Sequence, residues 1–314
     1  MAVGRPVLAV DRLVAAYNVL LAGVWGTLFA RAAYAPWIFV AHAAAVALPY
    51  LLARAPRRPS RLVGVLGEIY PLLWLLGFWT ELGFVRELLH VGAHEDSIRG
   101  LDLAVFGAHW NGEWMPRMPQ LWLSETMHFV YFAYYALIFL PPIVVGLAGR
   151  TEALRDMALR LLVTYVGCYV VYLAYPVDGP NHTMTHYAGA LTDGFFYRLV
   201  HGAVHMGDSL GTAFPSSHVA GAVTIAYLAH RWFSSRVATL FTAEAIGVFF
   251  STVYTQMHYP IDAVAGVVWG LGLQIVVVPL LTRRFEPQRQ PVPVPILPAF
   301  TPMPVPRPAT GGGL

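Results

Sequence analysis

Residues 259–281 read YPIDAVAGVVWGLGLQIVVVPLL, a stretch in which Asp262 is the only charge. A helix needs about 20 apolar residues to cross a hydrocarbon core about 30 Å thick. In lipid, a helix also satisfies its own backbone hydrogen bonds. Seven more runs of this kind occur, at about 12–31, 36–53, 62–84, 124–148, 157–176, 216–232 and 237–257. The eight predict an all-α, polytopic membrane bundle. Composition agrees: 57% of the 314 residues are hydrophobic and 12% are charged, about half the charged share of a soluble domain.

The chain contains no lysine, and its twenty basic residues are all arginine. Seventeen acids nearly balance them, and no basic block runs with aromatics, so nucleic acid is not an expected partner. With the N-terminus taken as cytoplasmic, fifteen arginines fall on the inner side and five on the outer, as the positive-inside rule requires. No small-residue cleavage signature follows the first apolar run, which is therefore expected to be retained. The single cysteine, Cys168, lies inside an apolar run and excludes an intrachain disulfide. The chain divides into 1–123, with N-terminal spans and an interfacial segment, 124–285, the functional membrane core, and a Pro-rich tail 286–314. Within 85–123, Trp110, Trp114 and Trp122 are expected at headgroup depth. The tail holds nine of the 24 prolines and is expected to be disordered.

This topology brings two distant stretches to one membrane level. GTAFPSSHVAG (211–221) offers His218 with Ser216 and Ser217 at a helix start, and MHYPID (257–262) offers His258 and Asp262. Residues four apart share a helical face, so the carboxylate can fix the tautomer of His258 and raise its basicity. A nucleophile or base, an orienting carboxylate and an acid form a triad in its general sense. Pro260 suits the first helical turn, where its missing N–H does no harm. Ionisable groups at this depth are functional by default.

FPSSHVAG resembles the Pro-Ser-Gly-His motif of the type 2 phosphatidic acid phosphatase superfamily. STVYTQMHYPID (251–262) resembles that family's Ser-Arg, five residues, His, three residues, Asp motif, with Ser251, His258 and Asp262 in register. The likeness covers about 165–280 and implies a six-helix catalytic core. It implies that His258 attacks phosphorus and becomes a phosphohistidine, that Asp262 orients it, and that His218 protonates the leaving oxygen. No metal or organic cofactor is then expected, because the imidazole carries the phosphoryl group.

The departures are informative. The family's first motif needs lysine and Arg-Pro, whereas the corresponding segment here reads YPVDGPNHTMTH (175–186); Thr252 and Ser217 replace the arginine and glycine of the other two motifs. Fixed cations are therefore missing. A phosphodiester carries one negative charge where a monoester carries close to two, so fewer cations suffice. Exposed N–H groups around Ser216 and Ser217 can serve the anion. The look is similar to the inositol phosphorylceramide synthase branch, with a phospholipid donor and a lipid alcohol or water as acceptor. The alternatives are a lipid phosphate phosphatase or a non-catalytic lipid-binding or transport protein, for which Glu68 and Glu244 are the intramembrane acids to watch. An intramembrane serine protease would need a Gly-x-Ser-Gly nucleophile, which is absent.

Other candidates surround this trio. Asp178 and Asn181 lie where the first motif should be and could bond sugar hydroxyls, or simply build a turn. Arg198 is the only arginine in the outer loop 177–214 and a candidate replacement cation, or a snorkelling residue. His182 with His186, and His201 with His205, are spaced i, i+4; without a further ligand at a matching spacing they read as substrate or interface contacts rather than a metal site. The aromatic run HFVYFAYYALIF (128–139) reads as packing or lipid-facing surface, with Glu125 and His128 at the edge of the site. The site is expected to open on the extracytoplasmic side of a bacterial-type plasma membrane.

Overall fold

The computed structural model describes residues 5–54, 61–89 and 93–286. Fourteen helices occur among them: α1 Ala9–Thr27, α2 Ala35–Ala45, α3 Leu48–Arg54, α4 Arg61–Leu89, α5 Glu95–Phe106, α6 Trp110–Arg117, α7 Leu121–Leu147, α8 Thr151–Ala174, α9 Pro180–Thr183, α10 Phe195–Gly207, α11 Ser217–Trp232, α12 Ser235–Tyr254, α13 Pro260–Gly272 and α14 Val278–Phe285. A π-turn at Leu273–Val277 joins the last two. The described residues form no strand, only an isolated bridge between Val177 and Thr212. Six helical stretches are long and apolar enough to cross a membrane: Ala35–Arg54, Leu62–Leu89, Leu121–Leu147, Thr151–Ala174, Ser235–Tyr254 and Pro260–Phe285. The chain is an integral membrane protein with an all-α bundle.

Two of the eight expected spans fall outside that set although both are helical. The first, α1, carries Asp11 and Arg12 in its opening turn and buries Asn18. The second, α11, has 16 residues, about 24 Å of helix and short of a bilayer core. It need not span alone, because α7, α8, α12 and α13 enclose it. Its Ala220, Gly221, Ala222, Ala226 and Ala229 let those neighbours come close. On α13, a Cβ added at Gly266 would stand 2.7 Å from the Ser216 carbonyl oxygen, and one at Gly270 would stand 3.0 Å from that of Ala220. Small residues four apart are how membrane helices bring their backbones together.

Helix α8 is buried on nearly every side, its polar Asp156, Arg160 and Thr164 included. A polar seam inside the bundle locks it to α11 and to the π-turn. Gln274 Nε2 donates to Thr164 Oγ1 at 3.0 Å and to Thr224 Oγ1 at 3.2 Å, while Arg160 donates to Gln274 Oε1 at 3.2 Å and to Asp156 at 3.1 Å. At the front of the chain, His42 joins Asn18 at 2.9 Å and Glu81 at 2.8 Å, tying α2 to α1 and α4. Glu68, a transporter candidate from the sequence, is held by Arg155 at 2.5 Å. The segment 85–123 continues α4 and then forms the amphipathic α5 and α6, with Trp110 and Trp114 partly buried and Trp122 exposed. Apart from Glu286, the Pro-rich tail lies outside the described residues.

Gly266→Val is therefore expected to force α13 away from α11 and to cost about 1–3 kcal/mol by overpacking. A Cβ at Gly272 meets nothing within 4 Å, so Gly272→Ala should leave stability nearly unchanged. Thermal unfolding of the detergent-purified variants checks the contrast.

Candidate active site

Four chain segments meet at one end of the bundle. They are the C-terminal end of α4, the loop after α8, the loop between α10 and α11, and the turn between α12 and α13. Val177 N–H donates to the Gly211 carbonyl at 3.3 Å, and Ala213 N–H donates back to Val177 at 2.9 Å. Gly179 sits at φ +80°, and a Cβ there would stand 2.6 Å from that of Ala213, so only glycine fits. Helix α5 braces the arrangement from outside. Its Glu95 accepts from Tyr259 Oη at 2.6 Å, Thr183 Oγ1 at 2.9 Å and Gly179 N–H at 2.9 Å. Asp102 accepts from Ile261 N–H at 3.0 Å, inside the first turn of α13; burial pushes this carboxyl above its usual range.

His218 and His258 face one another at that junction, ring centroids 5.8 Å apart. Ser216 starts α11, its hydroxyl accepting from Val219 N–H at 3.3 Å, while its own N–H donates to the Asp262 carbonyl at 3.0 Å. The Asp262 side chain, fully buried, accepts from Tyr259 N–H at 2.9 Å and lies 3.6 Å from His258 Nδ1. That contact leaves Nε2 of His258 for substrate. Tyr131 and Tyr135 hydroxyls converge on His218 Nε2 at 3.0 and 3.4 Å. When they donate there, the ring proton sits on Nδ1, a buried atom with no protein acceptor. One imidazole can attack, while the other, once protonated on both nitrogens, can give a proton from Nδ1.

Two cavities adjoin the pair, and a third shares Asn181 and Asp208 with the first of them. A narrow cleft is lined by His218, His258, Asp178, Asn181, Asp208 and Thr212 among others. An apolar cavity of about 420 Å³ runs from His218 between α4, α7, α8 and α10, walled by Leu72, Leu75, Trp79, Tyr131 and Tyr135. A polar cavity of about 330 Å³ is lined by Asn181, His182, His186, His201, His205 and Asp208. Among the described residues, no arginine lines any of the three.

The expected site residues distribute unevenly. His258, Asp262 and His218 come together, with Asp178 and Asn181 in the same cleft and His182 in the polar cavity beside it. Ser216 is spent on capping α11. Ser217 is buried at the rim of the apolar cavity, its carbonyl accepting from Tyr134 at 3.2 Å. Ser251 is buried and donates to the Val248 carbonyl at 3.0 Å, within its own helix. Arg198 stands exposed on α10 and lines none of the three cavities. Glu125 accepts from Phe196 and Tyr197 N–H at the start of α10, and His128 is buried against Tyr197 and His201.

Sequence reasoning missed three features. Tyr131, Tyr134 and Tyr135 share one face of α7 by their i, i+3, i+4 spacing and surround His218. Arg86, at the end of α4, pairs with Asp178 at 3.3 Å and keeps a buried Nε without an acceptor. Asp208, which caps the C-terminal end of α10, accepts from Asn181 Nδ2 at 3.0 Å and His182 Nε2 at 2.8 Å.

The PAP2 superfamily model matches residues 102–276, more than half of the chain, and spans every residue of the His218–His258–Asp262 group. No curated protein and no solved structure matches the chain.

The hydrogen bond to Asp208 raises His182 above the usual imidazole range, whereas burial holds His201 down to about 3 and therefore neutral. A raised folded pKa means the His182–Asp208 pair contributes fully below about pH 6.5 and is lost as pH climbs through the raised value. An NMR titration should give His182 a midpoint above about 6.5 that falls back in Asp208→Asn; an unchanged midpoint would contradict the pairing.

Proposed function

The chain belongs to the PAP2 superfamily, and on that premise we propose that it moves the phospho-headgroup of a phosphodiester phospholipid to a lipid alcohol through a phosphohistidine at His258. Membership itself points to phosphatase or phosphotransferase chemistry on lipid phosphates. The observation that carries the finer reading is that the cleft holding both imidazoles shares His218 with an apolar cavity and Asn181 and Asp208 with a polar one, with no arginine among the described residues lining any of them and no lysine in the chain.

In the first step His258 Nε2 attacks phosphorus as the bond to the glycerol oxygen breaks. His218 enters the step as an imidazolium, gives its Nδ1 proton to that oxygen and becomes neutral, and diacylglycerol leaves. Asp262 holds the Nδ1 side of His258 and stabilises the positive charge that the ring acquires. In the second step the acceptor hydroxyl gives its proton to His218, its oxygen attacks phosphorus, and the N–P bond breaks. His258 and His218 return to their starting states. The transferring group needs alignment and charge stabilisation more than covalent help. The N–H groups opening α11 and the neutral polar donors of the cleft suit a phosphorus centre bearing one negative charge.

The apolar cavity suits the acyl chains of donor and acceptor, since burying each methylene is worth about 0.8 kcal/mol. The histidine-lined cavity, with Asn181 and the neutral His201, suits a hydroxyl-bearing headgroup such as inositol phosphate. Because the topology expected from sequence puts fifteen of the twenty arginines on the opposite side, we take the site to open extracytoplasmically, in a bacterial-type plasma membrane.

Mass spectrometry of lipids after incubation of the purified protein with diester and monoester donors tests the reading. Diacylglycerol should appear from a phosphodiester lipid, and His258→Ala should abolish it, a loss of at least about 10³-fold. Turnover of phosphatidate alone would defeat it.

A further inference from the structure

Asp208 alone among the described residues lines all three cavities around the histidine pair. Its location is costly on two counts. It follows the last turn of α10, with its N–H on the Val204 carbonyl, so its carboxylate sits at the negative end of a helix. It also stands where a phosphate must enter. Three donors hold it there: Asn181 Nδ2 at 3.0 Å and His182 Nε2 at 2.8 Å on Oδ2, and Ser209 N–H at 2.9 Å on Oδ1. The side chain is still 26% exposed, so it retains lone pairs toward the cavities. The other acids nearby are engaged elsewhere: Asp178 with Arg86, and Asp262 behind His258.

We propose that Asp208 is a charge filter, whose carboxylate admits a phosphorus centre bearing one negative charge and turns away one bearing two. The inference rests on the diester reading for its donor lipid but concerns a different residue and a different property. A second negative charge on phosphorus meets this carboxylate at the junction. His182 offsets it only while its ring is protonated, so the repulsion is full once pH passes the raised His182 midpoint, and among the described residues no arginine lines the cavities. A headgroup hydroxyl, by contrast, finds in the same carboxylate an acceptor. Selectivity of this kind works by repelling the wrong ligand as much as by binding the right one. Asp208 is then a specificity-determining residue, taking no part in bond making.

The experiment uses the full chain, detergent-purified, and compares kcat/KM above the His182 midpoint found by the NMR titration for phosphatidate and phosphatidylinositol in wild type, Asp208→Asn, Asp208→Glu and Asn181→Asp. Asp208→Asn should raise kcat/KM for phosphatidate about tenfold relative to phosphatidylinositol, the size of one screened charge pair. Asp208→Glu should keep the wild-type ratio, and Asn181→Asp, which adds a charge at the same junction, should move it about tenfold the other way. Ratios within one preparation are independent of the fraction folded, and Asn181→Asp carries the test if Asp208→Asn does not fold. Binding of short-chain phosphatidate, about tenfold tighter in Asp208→Asn, gives the same answer without turnover. A wild type inactive on phosphatidylinositol sinks the diester reading but leaves the filter to be judged on phosphatidate. A ratio and an affinity that stay within twofold across the charge-changing variants overturn the filter.

Discussion

A single backbone hydrogen bond, from Ser216 N–H to the Asp262 carbonyl at 3.0 Å, holds the beginnings of α11 and α13 against each other. The proposed chemistry depends on that join, because the start of α11 carries His218 and the turn leading into α13 carries His258. The bond forms only if the backbones can touch, and the glycines at 266 and 270 make this possible by presenting no side chain to α11. Asp262 is used three times over. Its main-chain oxygen receives Ser216, its carboxylate receives Tyr259 N–H, and the same carboxylate faces His258 Nδ1. Packing and chemistry are thus carried by the same atoms, and a change to one disturbs the other.

Around this join the protein separates two environments over a short distance. On one side the tyrosines of α7 and the leucines of α4 make an apolar cavity, and on the other histidines, Asn181 and Asp208 make a polar one. A phospholipid has the same division, and its phosphorus lies at the boundary. The tyrosines do more than fill space, since Tyr131 and Tyr135 fix the ring of His218 through Nε2. Helix α5 contributes from outside the bundle, where Glu95 and Asp102 tie down the loops that carry Gly179 and Tyr259. A segment that looks like an interfacial spacer in sequence thereby supports the reacting groups.

Much of this was legible in the residues. Apolar runs announced the spans. The four-residue spacing of His258 and Asp262 reads as a shared helical face, whereas His258 lies in the turn before α13 and Asp262, in the first turn of that helix, stands 3.6 Å from its ring. What escaped did so for physical reasons. Helix α11 was counted as a span because enclosure by four helices, which excuses its short length, leaves no mark in a hydropathy profile. The face formed by Tyr131, Tyr134 and Tyr135 was hidden because α7 is aromatic in all directions, with Phe129 and Phe132 outward. Arg86 sits just past an apolar run and entered only the count of outer-side arginines. Asp208 had no partner at a telling spacing, since Asn181 and His182 reach it from 27 and 26 residues away. Arg198, chosen because it was the only arginine of its loop, stands exposed on α10, since membership of a loop does not determine which way a helix in that loop turns its side chains.

The central claim is that the His258 ring forms a bond to phosphorus with His218 as its proton partner. Rapid quenching of turnover with a phosphorus-labelled donor lipid, followed by peptide mapping, reads that bond directly. The account requires an acid-labile, base-stable label confined to the peptide bearing residue 258, accumulating when acceptor is withheld and discharged when it is added. Turnover at full rate with no such label, or with the label on another residue, would contradict it.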